Sequence, residues 1–228
     1  MNRSKRYNEA IKLVDKTRYY KTAEAVKVIK EAAKTKFNES VDMVIILGID
    51  AKKTDQTVRG TIMLPHGTGK TKAIAVVTKG EKVLEAKEAG ADFVGSNDII
   101  DDIEKNKIKF DVLVATPDMM KDLSRLAKTL GPKGLMPNPK TGTVTFELAG
   151  AIKRIKAGEV PFRNDESGVI HLVVGKVKFE EEKLVENVDS AIETILKAKP
   201  ASAKGQYIKA ISLSSTMGPG LKIVVPHI

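Results

Sequence analysis

Ser212, Ser214 and Thr216 are the residues in this chain whose types and spacing point most directly to chemistry, and that chemistry is contact. They alternate with Leu213 and Ser215. A period of two sets one row on the open side of a strand and the other against a core. The open row carries hydroxyls and no bulk, so it offers donors and acceptors at short range to a surface laid flat against it. Beyond it, Gly218 and Gly220 let the backbone bend and approach closely, and Pro219 stiffens the bend. An ordinary polar hairpin would read the same way on this stretch alone.

Catalytic chemistry has weaker support. Gly67-Thr68-Gly69-Lys70-Thr71 invites a phosphate-loop reading, but the full motif requires a glycine where Leu64 stands, and Lys70 leads into an apolar strand where the motif requires a helix. His66, His171 and His227 lie far apart without ligand spacing, so no metal site is expected. His171, on a strand, reads as a wall or contact residue. Asp50 and Asp55 share a loop, with nothing to mark them as an acid–base pair. The chain has no cysteine, which removes disulfides, thiolate ligands and a cysteine nucleophile. The expectation is a protein with no catalytic residues, no metal and no cofactor, and hence not an enzyme.

Composition points to the partner. The chain has 228 residues, 42% of them hydrophobic and 30% charged, with a formal net charge of +10. An excess of that size fits a polyanion, either nucleic acid or an anionic membrane. Eleven Lys or Arg against five Asp or Glu fall within residues 1–39, so part of the excess lies at the front. No helix there joins a bulky apolar face to strong basicity, which argues against a membrane partner. No apolar run approaches the ~18 residues needed to span a bilayer. The basic start, Met1-Asn2-Arg3-Ser4-Lys5-Arg6, is not followed by a signal-peptide core, and a soluble cytoplasmic protein is expected. Aromatic residues make up only 4%, too few for a base-stacking platform, so shape readout of a folded RNA fits better. Lys36 and Phe37 pair a cation with an aromatic at the mouth of a strand; Phe37 either packs a ribose or base or belongs to the core. Arg163, Asn164 and Lys176 flank a hairpin whose second strand carries His171, and Lys204 precedes the strand leading to Thr216. Lys133 and Lys140 stand on a rigid Pro/Gly loop, which is either a second contact surface or a structural lid.

The elements that hold these residues follow from periodicity. Helices are expected over 5–16 and 23–34, the second capped by Thr22, and an apolar core strand over 40–49 with Val41, Val44, Ile45 and Ile46 inside. A short strand spans 59–64. From Lys72 to Leu130, strands at 72–78, 92–94 and 111–115 alternate with helices at 81–89, 96–106 and 117–130, the spacing of a small parallel sheet with crossovers. Three prolines and three glycines between 131 and 142 forbid regular structure, and a helix follows over 146–157. Strands 160–163 and 169–174 form a hairpin, 180–199 is a long amphipathic helix stopped by Pro200, and strands 207–214 and 221–225 close the chain. The ends resemble each other more than they resemble the middle. The fold class is therefore α/β and α+β: a split α+β domain from residues 1–67 and 159–228, with an inserted Rossmann-like βαβ domain at 68–158, the two crossings forming a hinge.

Several stretches together resemble one family. They are Leu47-Gly48-Ile49-Asp50, Asp55-Gln56-Thr57-Val58-Arg59-Gly60, Leu64-Pro65-His66-Gly67-Thr68-Gly69-Lys70, Gly90-Ala91-Asp92, Ala115-Thr116-Pro117-Asp118, Leu130-Gly131-Pro132-Lys133-Gly134-Leu135-Met136-Pro137-Asn138-Pro139, Phe162-Arg163-Asn164-Asp165 and Ser215-Thr216-Met217-Gly218. The family is the bacterial form of ribosomal protein L-one, found at the mobile lateral stalk of the large subunit. The resemblance implies a ribosome-bound protein, a monomer when free, that binds large-subunit (23S) rRNA through the split domain. It further implies a part in releasing deacylated tRNA from the exit site and repression of its own operon mRNA. Carried over by position, the RNA-contacting set is Lys36, Phe37, Ser40, His171, Thr216, Met217 and Gly218, with Arg163 and Ser214 added. Thr57 stands where Asn is frequent in the family, Lys133 where Arg is common and Glu166 where Lys is frequent, so the last two positions have less phosphate-binding capacity.

Overall fold

A computed structural model of the chain describes residues 4–225 apart from 16, 52, 81, 106 and 204. In chain order its elements are α1 (Lys5–Lys12), β1 (Tyr19–Tyr20), α2 (Thr22–Ala32), β2 (Ser40–Leu47), β3 (Arg59–Met63), β4 (Ile74–Val77), α3 (Lys82–Glu88), β5 (Phe93–Gly95), α4 (Asn97–Glu104), β6 (Val112–Ala115), α5 (Met120–Leu123), α6 (Ala127–Leu130), α7 (Leu148–Lys156), β7 (Glu159–Arg163), β8 (Val169–Lys176), α8 (Glu181–Lys197), β9 (Ile208–Ser215) and β10 (Leu221–Ile223). Two compact units result, one of Met1–Gly69 with Val160–Ile228 and one of Lys70–Glu159. The expected helix positions Lys16, Glu81 and Asn106, and Met1 to Arg3, Lys204 and His227, lie outside the described residues.

The first unit is built on a five-stranded sheet in the order β1-β10-β9-β2-β8. β2 lies between β9 and the edge strand β8, antiparallel to both, with Val44 level with both Ser212 and His171. The inward residues Val41, Met43 and Ile45 of β2 meet Ile170 and Leu172 of β8 and Ile211 and Leu213 of β9. Helices α2 and α8 close that side with Ala25, Val26 and Ile29 and with Leu184, Val188, Ala191 and Ile195. The opposite face is uncovered within the unit, so β2 alternates as an antiparallel strand with one wet face must. This corrects the reading of β2 as wholly core: Val44 is half-buried and Ile46 is exposed.

Other expectations are corrected as well. β7 does not form a sheet hairpin with β8; it pairs with β3 in a separate two-stranded sheet, and a single bridge joins Asn164 to Ile170. The cause is Asn164, whose N–H donates to the Val58 carbonyl at 3.1 Å while its Oδ1 accepts the Val58 N–H at 2.8 Å. Thr22 lies inside α2 with Lys21 at the cap position, and its hydroxyl bonds Asp189 at 3.2 Å. β1 pairs in parallel with β10, a strand too short to leave a period in the sequence.

The second unit has a three-stranded parallel sheet, β5-β4-β6, with Val76 level with Val94 and Val114. All four residues of β4 are buried, as in a parallel strand covered on both faces. Ala86 of α3 packs with Leu148, Ala151 and Ile152 of α7 on one side. Ile100 and Ile103 of α4 pack with Met119, Leu123, Leu126 and Leu130 on the other. The single helix expected over 117–130 is a succession of short 3-10 and α turns. Residues 131–142 do hold one regular turn, Pro139–Thr141, because Asn138 Oδ1 accepts the Lys140 N–H at 2.8 Å and proline suits the first position.

Candidate nucleic-acid interface

The start of β2 and the end of β9 lie side by side in the sheet, and three loops meet there. Ser40, first in β2, donates its N–H to Thr216 Oγ1 at 3.0 Å, and its carbonyl accepts the Thr216 N–H at 3.0 Å and the Thr216 hydroxyl at 3.3 Å. Lys176, last in β8, donates from Nζ to Ser40 Oγ at 2.8 Å. The Gly218 N–H closes the turn onto the Ser215 carbonyl at 3.1 Å. On the other side the Thr35 hydroxyl holds the Phe37 carbonyl at 3.0 Å.

This arrangement joins six of the expected residues: Lys36, Phe37, Ser40, Thr216, Met217 and Gly218. Lys36 is exposed. Phe37 is 54% and Met217 49% exposed, which answers the question of Phe37 against its being a core residue. Two large apolar side chains held in solvent beside cations can receive a ribose or a base, while the cations neutralise phosphate. Thr216 differs from the expectation. Its hydroxyl accepts from and donates to Ser40, which leaves it one further acceptor position.

Ser214 stands next to this cluster, half-buried and level with Asp42. His171 is exposed on the open face level with Val44, ~13 Å along the sheet from Ser40 at the usual strand rise. The open face is not the bare hydroxyl ledge expected. The row through Ser212 also holds Tyr19, Lys222, Val44 and His171, and the Lys222 ammonium lies 5.8 Å from the Tyr19 ring. Arg163 is exposed at the end of β7 in the separate two-stranded sheet, beside Asn164 and Asp165, and does not join the cluster. Lys133 and Lys140 are exposed in the second unit on a loop whose Leu135 and Met136 pack on that unit's core.

Glu39 was not anticipated. It is 2% exposed, and its Oε2 accepts the Met217 N–H at 3.0 Å. Burial pushes its carboxyl up, but the Ser215 and Thr35 hydroxyls, the Met217 N–H and the Arg6 charge outweigh burial and hold it below the ordinary glutamate range. Ser215 Oγ is itself buried and makes no hydrogen bond of regular geometry, so its effect on the carboxylate is one of proximity. The signal in the sequence was an acid inside a basic segment, next to the strand that opens the site.

A family model described as the ribosomal protein L1p/L10e family matches residues 29–219, a span that takes in β2, the whole of the second unit and the Thr216–Gly218 turn.

Proposed function

The chain belongs to the ribosomal protein L1p/L10e family, and on that premise we propose that the cluster around Ser40 and Thr216 is its rRNA-binding surface. The family is one of structural, RNA-binding ribosomal proteins and not of enzymes, and it makes this chain a constituent of the large subunit that binds rRNA. The finer reading is ours. The unit made from both chain ends grips large-subunit rRNA at the mobile lateral stalk, and the unit between them is an inserted domain. The protein takes part in releasing deacylated tRNA from the exit site and represses its own operon mRNA by binding a similar RNA shape. Lys133 and Lys140 are a second RNA contact.

The observation that carries this reading is that exposed Lys36, Phe37 and Met217 stand on the two segments joined by the Ser40–Thr216 hydrogen bonds at one end of the sheet. A titration of the full chain against a stalk rRNA fragment tests it. Phe37→Ala should weaken binding by ~1–3 kcal/mol, the worth of a stacked base or sugar. Lys36→Ala should lower the slope of log affinity against log salt by about 1. Wild-type affinity and slope in both variants would refute the assignment.

A further inference from the structure

Glu39 places a carboxylate where a polyanion is to dock. In the open such a charge would oppose every phosphate brought near it. It is not in the open: the side chain is buried and directed at the Thr216–Gly218 turn, with the Met217 N–H on Oε2 at 3.0 Å. Its own carbonyl accepts the Val177 N–H at 3.0 Å, which ties the residue to the end of β8. The next residue, Ser40, carries the Thr216 clasp. Thr35, whose hydroxyl fixes the Phe37 carbonyl, also lies near the carboxylate. Without Glu39 the Met217 N–H loses the acceptor that it has among the described residues, and Met217 and Gly218 are held by the Ser40–Thr216 clasp and one turn bond.

We infer that Glu39 is a positioning residue of the RNA site: its buried carboxylate locks the Thr216–Gly218 turn in its RNA-receiving geometry and touches no RNA itself. The inference rests on the RNA-binding reading above. The ordering of that turn is then met when the chain folds and not when it binds, which is how preorganisation raises affinity without a new contact.

Three variants of the full chain separate geometry from charge. Glu39→Gln keeps an oxygen for the Met217 N–H and loses the charge. Glu39→Asp keeps the charge and draws the oxygen back. Glu39→Ala loses both. Each is measured for affinity to the stalk rRNA fragment, salt slope, melting temperature and amide exchange at Met217 without RNA. We expect Asp and Ala to bind at least about tenfold more weakly, with unchanged salt slope and faster Met217 exchange, and Gln to bind within about threefold of wild type or tighter; tenfold corresponds to ~1.4 kcal/mol. Should Ala fail to fold, the Asp and Gln pair decides alone. Wild-type affinity in Asp, or a loss in Gln equal to that in Asp, overturns the inference while leaving the RNA reading intact. A wild-type protein that binds no rRNA overturns both.

Discussion

Tyr207 carries a hydroxyl that has no hydrogen-bond partner among the described residues: the residue is 5% exposed and its oxygen is buried. Burial lifts its pKa from the ordinary 10.0 to about 12. The folded state therefore holds this proton more tightly than the unfolded chain does. The associated stability is intact below pH 10.0 and is lost as pH rises towards about 12. Tyr207→Phe removes an unsatisfied buried group, so it should raise stability by ~1 kcal/mol at neutral pH and flatten the alkaline loss. Denaturant melts of both proteins from neutral to alkaline pH check this; a less stable Phe variant would reveal a partner for the hydroxyl. At this scale the sequence was informative about type and silent about direction. Lys36, Phe37 and Met217 could be picked as candidate contact residues from chemistry and family resemblance. That Thr216 turns its hydroxyl to Ser40, 176 residues away, depends on a strand pairing no local pattern records.

Among the elements, α8 shows how a legible stripe can hide its most consequential residue. The spacing of Leu184, Val188, Ile192 and Ile195 gave the helix and its buried face. Asn187 lies in that face, fully buried, and joins three elements. Its Oδ1 accepts the His66 N–H at 3.1 Å, and its Nδ2 donates to the Gly67 carbonyl at 3.0 Å and the Val174 carbonyl at 2.8 Å. It thereby satisfies part of the edge of β8 and fixes the chain as it leaves β3. The adjacent Gly69 needs its positive φ of 71°, and a Cβ there would come within 2.8 Å of the Phe179 ring. Asn187→Ala strands one buried acceptor, the Val174 carbonyl, and a part-buried donor and acceptor at His66 and Gly67, so it should cost ~1–3 kcal/mol and raise amide exchange most at His66. A loss under ~1 kcal/mol would mean that water replaces the amide. The same long reach explains the misread hairpin: Asn164 commits β7 to Val58, 106 positions earlier, while its own loop looks like a simple turn. In the second unit the parallel strands were plain as apolar runs, but the breaks within 117–130 were not, since no glycine or proline marks them after Pro117.

For the whole molecule, the charge of +10 and the scarcity of aromatics set the class of partner, and the family match makes that partner rRNA. Among the described residues no helix is long and apolar enough to cross a membrane. The central claim is that the Phe37 and Met217 end of the split unit is what meets the RNA. A photoreactive residue at exposed Met217, activated in cells and followed by sequencing of the attached RNA, tests it most directly. The account predicts that reads gather on one stretch of large-subunit rRNA, with a second, smaller peak on the protein's own operon mRNA if it acts as a repressor. Reads scattered over unrelated RNAs, or none from Met217 while a probe at Lys133 or Arg163 marks the rRNA, would contradict it.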